Sequence, residues 1–255
     1  KEKHAASWAL GLLASSAIKE HEKILNDLRA LACPKMTAEA STFFLEEAVH
    51  SEAYQRFLDE AAKKLNLTTT ELSTFLPKYK KTSFSGRIYA LEAKLGGNAI
   101  WWAVAATEEE SIRLFQKLLP NKENTDTLFF ELNRLHFLEE SRHSSFSYQM
   151  IRHRNAGKTL KKWSFAVSRV LQTIWLFQEL NGFRKVKNFR DRHPLLEEMA
   201  LLSEKIDRMS WRQKFKLIFR ENFYTRMMST PERHPRLRRA LEIEKMVILR
   251  LPGAV

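Results

Sequence analysis

The sequence predicts an all-α helical bundle, and three observations carry that prediction. Only 7 Gly and 7 Pro occur in 255 residues, about two-fifths and a little over half of their average usage. Apolar residues recur every three or four positions through most of the chain. The scarce Gly and Pro fall between these periodic runs, where they punctuate them. Hairpin-rich β folds and nucleotide-binding loops need several glycines in one place, and no such cluster is present. The single Cys33 excludes a disulfide framework, a thiolate zinc site and an iron–sulfur cluster.

In chain order, the periodicity predicts a first helix from about Ala5 to Leu31, stopped at Cys33-Pro34. A second runs to about Lys64, with Thr37 as its N-cap. A short helix, Thr68 to Leu76, ends at Pro77, and a basic loop, Lys78 to Ser85, follows. After Arg87–Lys94 and the Gly96-Gly97 pair comes a Trp- and Ala-rich helix, Asn98 to Leu119, halted by Pro120. A long helix from about Leu128 to His153 ends at Asn155-Ala156-Gly157. Further helices are expected at Leu160–Leu180, Pro194–Ser210 and Trp211–Met228, and after Pro235 up to Leu251. With 44% apolar residues the chain can bury a full core. The expectation is one domain over residues 1–255, with a bundle core at 1–153 and accessory helices at 154–255.

Lys and Arg number 43 against 30 Asp and Glu, a formal charge of +13. Such a balance suits an acidic redox or carrier partner. Sequence-specific nucleic-acid binding is not expected, because no recognition motif accompanies the charge. Helix Trp211–Met228 mixes aromatic and basic residues as a helix on a membrane surface would, but Arg212 and Arg226 fall within its apolar sector, so core packing is the expectation over membrane contact. The most apolar run, Val167 to Leu180, is too short and too polar to span a bilayer. One cysteine and no export signal make the cytoplasm the expected compartment. A homodimer is left open.

Carboxylates stand on the apolar stripes of the long helices. At 3.6 residues per turn, Phe43, Glu47, His50, Tyr54 and Phe57 share one inward face, and Glu46 points away from it. Glu108 sits at the centre of the Asn98–Leu119 stripe, with Glu109 at its edge. Phe129, His136, Glu140, His143 and Ser147 share a face on the long helix, and Glu139 is off it. Buried carboxylates are costly unless paired, protonated or bound to metal. Glu47-Ala-Val-His50 and Glu140-Ser-Arg-His143 are both Glu-x-x-His units, which place two ligands on one side of a helix. A bundle with two such units, plus one Glu from each of two other helices, builds a di-iron or di-manganese carboxylate site. Thirty-two residues separate Glu108 from Glu140, so helices folding back around Pro120 bring them level. The first helix should supply the last carboxylate. Glu20 lies nearest its apolar stripe, with His21 and Glu22 as rivals.

These strings resemble the ferritin-like di-iron carboxylate superfamily. With His136 one turn earlier, the pattern His-x-x-x-Glu-x-x-His is similar to the p-aminobenzoate N-oxygenase family of di-iron oxygenases. The fuller His136-Phe-Leu-Glu139-Glu140-Ser-Arg-His143 also resembles a bacterial family described as predicted metal-dependent hydrolases. The resemblance covers roughly Glu20 to His143. It implies metal ligands at Glu20, Glu47, His50, Glu108, His136, Glu140 and His143. Tyr54, four residues past His50, is similar in position to the radical tyrosine of ribonucleotide reductase small subunits. This chain lacks their first-helix aspartate and adds His136. Tyr54 is therefore expected to bond to a site carboxylate or to act in redox.

The resemblance implies a ferritin-like four-helix core holding two iron ions, or one manganese and one iron. The expected function is oxidation of a small or carrier-bound organic substrate by O2. A metal-dependent hydrolase or a ferroxidase using the same site is the alternative, and a metal-free basic binding protein is the contrasting class.

Overall fold

The computed structural model describes residues 2–33, 37–78, 84–153 and 158–221. Among these residues there is no strand. The helices, in order, are α1 (Glu2–Ala32), α2 (Ala38–Lys64), α3 (Thr69–Leu72), α4 (Phe84–Lys94), α5 (Ala99–Leu118), α6 (Thr127–His153), α7 (Lys158–Phe183), α8 (Pro194–Asp207) and α9 (Trp211–Glu221). Short 3-10 segments at Leu119–Asn124 and Arg184–Arg192 link α5 to α6 and α7 to α8. No described helix is long and apolar enough to cross a membrane.

Local chemistry sets the ends of these helices. Thr37 Oγ1 accepts from the Ala40 amide at 3.2 Å, the predicted cap of α2. A reciprocal capping box between Thr68 and Glu71 opens α3. That helix stops at Leu72, short of the expected Leu76. The Ser73 and Thr74 hydroxyls donate to the carbonyls of Thr70 and Glu71, a local bonding that competes with helix continuation. Between α4 and α5 the chain turns at Gly96, whose φ of +80° suits only glycine well. Buried Glu92 then accepts from the Ala99 amide at 2.9 Å and from the Ser164 hydroxyl. One carboxylate thereby ties the start of α5 to α7. Helix α7 begins slightly earlier than expected, at Lys158. The Pro34 turn, Gly157, the last residues of the Trp211–Met228 helix and the helix after Pro235 lie outside the described residues.

Helices α1, α2, α5 and α6 form the bundle. Helix α1 packs on α2 and on α5, and α6 packs on α5 and on α2. Antiparallel pairing of α1 with α2 follows from Trp8 stacking on Phe57 at one end and Arg29 covering Phe44 at the other. Helix α7 packs along α5, and α8 packs on α1. Each bundle helix passes through two apolar clusters with a polar stretch between them. One cluster holds Leu25, Phe44, Ile100, Trp101 and Ile151, and the other holds Leu12, Phe57, Phe115 and Phe129. Residues 20–22, 47–50, 108–111 and 136–143 occupy the layer between. Apolar burial above and below, worth about 25 cal/mol per Å2, is what holds so many polar groups in the interior.

Candidate metal centre

Two groups of side chains meet in the polar layer. Glu47, His50, Glu140 and His143 form one, and Glu22, His50 and His136 form the other, each with donor atoms within 4.8 Å of one another. Helices α2 and α6 run antiparallel here, so their Glu-x-x-His units face each other about a common centre. His143 Nδ1 lies 2.8 Å from Glu47 Oε1, and His136 Nε2 lies 2.7 Å from Glu140 Oε1. His50 Nδ1 stands 3.6 Å from Glu47 and 3.9 Å from Glu22. Glu47 therefore sits between His50 and His143, and Glu140 between His136 and His143, whose Nδ1 is 3.8 Å from the same Oε1.

The outer edges of the rings are held in a crossed pattern. His143 Nε2 pairs with Glu46 Oε2 of α2 at 2.9 Å, and His50 Nε2 pairs with Glu139 Oε2 of α6 at 2.7 Å. Each ligand helix thus supplies the carboxylate that orients the other helix's histidine. If the Nε2–H donates outward in both rings, Nδ1 is left bare and facing the cluster, as a metal ligand requires. Sequence reasoning set Glu46 and Glu139 aside as off-face. The signal available was the doubled acid, since both strings read Glu-Glu-x-x-His.

Burial dominates the electrostatics. It pushes Glu22 and Glu140 well above the usual carboxylate range, and the negative charge of Glu47 adds to the effect. Burial also opposes ionisation of Glu47, but hydrogen bonds and charge from His143 and His50 outweigh it and hold that group low. His136 is driven well below the usual histidine range by burial and then by His50. His143 moves up, because Glu47 and Glu46 overcome the burial penalty. Tyr54 is kept protonated by burial and by Glu140, Glu22 and Glu47. Its hydroxyl faces Asn133 Oδ1 at 3.4 Å, and its ring stands edge-on to His136 at 5.2 Å. The expected bond from Tyr54 to a site carboxylate is thus not formed; the Asn133 amide, anchored to the Phe129 carbonyl, takes that place.

The structure brings five of the predicted ligands together: Glu47, His50, His136, Glu140 and His143. Glu108 is 2% exposed with Oε1 lacking a hydrogen-bond partner, yet it belongs to neither group. Glu20 is placed elsewhere, with its carboxylate 3.5 Å from Lys19 Nζ in a cavity shared with Gln55 and Pro77. The first-helix carboxylate in the cluster is Glu22. Helix geometry explains the difference. The apolar stripe of Leu10, Leu13, Ala17 and Ile24 is centred on a separate cavity against α5 and α7. The sector facing α2 and α6 is another one, carrying Gly11 against Phe129, Ile18, Glu22 and Leu25.

The donor set fits a pair of metal ions. Both oxygens of Glu22 and Oε2 of Glu140 are buried without a hydrogen-bond partner among the described residues, and Oε1 of Glu47 meets only the Nδ1 atoms of His50 and His143. Orphaned carboxylate oxygens converging in a dry layer are costly unless a cation compensates them. Mixed imidazole and carboxylate ligands favour iron or manganese over magnesium or calcium.

Comparison with protein-family models decides the family. The model described as P-aminobenzoate N-oxygenase AurF matches residues 32–235. The chain belongs to the p-aminobenzoate N-oxygenase family. It is therefore a member of the ferritin-like di-iron oxygenases, as its all-helical bundle also indicates. No curated protein and no solved structure matches the chain. The N-oxygenase match begins at residue 32, so nearly all of α1 precedes it and the placing of Glu22 rests on geometry alone. It continues far past His143, through α7 and α8, beyond the span that the metal motifs cover.

Proposed function

We propose that this chain is a di-iron oxygenase that uses O2 to oxidise an organic substrate. The observation that carries the reading is the pair of ligand groups sharing His50, with Glu47 and Glu140 each placed between two histidines. His50 Nδ1 can serve one ion only, but Glu47 and Glu140 each have two oxygens and could bridge two adjacent ions, which supports a metal pair. Bound iron would supply reversible redox change and open positions for O2. Glu22, Glu47, Glu140, His50, His136 and His143 would hold it, with Glu108 close in the same layer. The protein's own work is orientation and exclusion. Glu46 and Glu139 fix the two histidine rings, and the apolar clusters on either side keep bulk water from the layer. Tyr54, held neutral beside His136, packs against the ligand set as an uncharged phenol rather than an anionic ligand.

Anaerobic reconstitution with Fe(II), followed by counting iron per chain and measuring O2 uptake, tests this. Two irons per chain and O2 uptake that depends on an organic substrate are expected, with both lost in Glu140→Ala and His143→Ala. Fewer than one iron per chain, unaffected by those substitutions, sinks the reading. O2 uptake proportional to Fe(II) alone would indicate iron oxidation instead. Ester or amide cleavage without O2 would indicate metal-assisted hydrolysis.

A further inference from the structure

A cavity of about 360 Å3 lies between α1, α4, α5 and α7, on the other side of α1 and α5 from α6. Its wall nearest the metal centre is formed by His21 and Thr107, the chain neighbours of Glu22 and Glu108. Thr107 Oγ1 is 3.3 Å from His21 Nδ1, and His21 Nε2 is buried with no hydrogen-bond partner. Between that wall and the opposite end the lining is mostly apolar, with Leu13, Ala17 and Leu176, and also holds Ser111 and Trp175.

The opposite end is polar. There Arg113 donates through Nε and Nη2 to Glu110 Oε2, at 2.8 and 2.6 Å, so its charge is matched from its own helix. Glu179 of α7 lines the same end. Its carboxylate accepts from Trp175 Nε1 at 2.6 Å, and no described cation lies within ion-pair distance of it. Helices α5 and α7 run parallel from the contact of the Asn98 amide with Ser164 Oγ. Fifteen residues on, Glu179 is level with Arg113. At 1.5 Å per residue, that places it about 9 Å along the axis from Thr107.

We propose that this cavity receives an apolar substrate bearing an amine head group, which Glu179 anchors, and that it discriminates against substrates ending in a carboxylate. The proposal rests on the oxygenase reading, since it places the substrate's far end where the metals are nearest. An ammonium entering the cavity gains a charge-assisted hydrogen bond from a carboxylate that otherwise has one neutral donor. Burial pushes Glu179 up to about 7, the Trp175 donor only partly offsetting it, so an incoming cation stabilises the ionised form. A carboxylate head would instead meet Glu179 with Arg113 already engaged. The p-aminobenzoate named in the family description carries such a head together with an aryl amine that is too weakly basic to be charged at neutral pH, so neither of its ends offers Glu179 a cation.

Calorimetric titration of the iron-loaded protein with 4-propylbenzylamine and with 4-propylbenzoate tests the proposal. The amine should bind more tightly by roughly tenfold or more, the discrimination expected of one charge-assisted hydrogen bond. In Glu179→Gln the preference should disappear, with iron content equal to that of the parent protein. Ala17→Phe, which fills the middle of the cavity, should abolish binding of both probes. Equal affinities, a preference for the acid, or an unchanged preference in Glu179→Gln would overturn the proposal while iron content stays at two per chain. Failure to load iron would overturn the oxygenase reading instead, whatever the probes do.

Discussion

Glu46 and Glu139 show how much a single carboxylate at the edge of the site can do. Each accepts from the outward ring nitrogen of a histidine on the other helix, so removing one frees a ring to rotate and raises the cost of presenting Nδ1. Glu46→Gln and Glu139→Gln should fold normally and weaken iron binding by about 10- to 100-fold, measurable by competition with a chromogenic chelator. Glu46 also receives Arg142 at 2.6 Å, so Arg142→Ala tests the same support one step further out and should weaken binding less. On α1 the contrast is sharper. Glu22→Ala should lower iron from two per chain toward one, and Glu20→Ala should leave it unchanged. The reverse result would return the first-helix ligand to Glu20.

At the scale of elements, the corner between α4 and α5 rests on Glu92. A Cβ on Gly97 would come within 1.7 Å of Glu92 Oε1, and that side chain cannot move without releasing the Ala99 amide and the Ser164 hydroxyl. Gly97→Ala should therefore cost about 1–3 kcal/mol through unsatisfied buried groups, read as a lowered Tm. Helix α7 carries a second expectation. Glu179 is raised from its ordinary 4.5 to about 7 by burial, so its contribution to stability is complete below pH 4.5 and is lost as pH rises through 7. Glu179→Gln should thus stabilise the protein relative to the parent at pH 8 and not at pH 4.5, by thermal melts at both. What the sequence showed of these elements follows the same division. Thr37, Pro120 and Pro194 act locally, through a cap or a missing amide, and were legible at once. Glu47, His50, His136, Glu140 and His143 were legible because i, i+3 and i, i+4 spacing is fixed by the helix itself. Glu22 was not, because α1 is apolar on two sectors, and periodicity cannot say which one faces metal and which faces a cavity. The Glu92 corner was equally hidden, since its partners lie on two other elements, α5 and α7.

For the whole molecule, the layered arrangement sets stability against function. Two apolar clusters close over a band of carboxylates and imidazoles, several of whose buried oxygens make no hydrogen bond among the described residues. Without a cation that band should lower stability, because burying an uncompensated charge costs far more than burying its neutral counterpart. The basic surface does not relieve it. Arg184 and Lys187 are drawn to Asp207, Arg190 to Glu204 and Arg192 to Glu71, all on the periphery. Iron should therefore raise the Tm strongly, by the linkage between ligand binding and folding. Glu140→Gln should do two opposite things at once. In the iron-free protein it removes a carboxylate that burial and Glu47 already disfavour ionising, so Tm should rise above that of the iron-free parent. In the presence of iron the gain on loading should vanish, leaving the variant less stable than the loaded parent. Scanning calorimetry of both proteins with and without Fe(II) measures all four states. If Glu140→Gln destabilises the iron-free protein, the carboxylate is there for packing, and the band is not the site of stored instability that a metal centre requires.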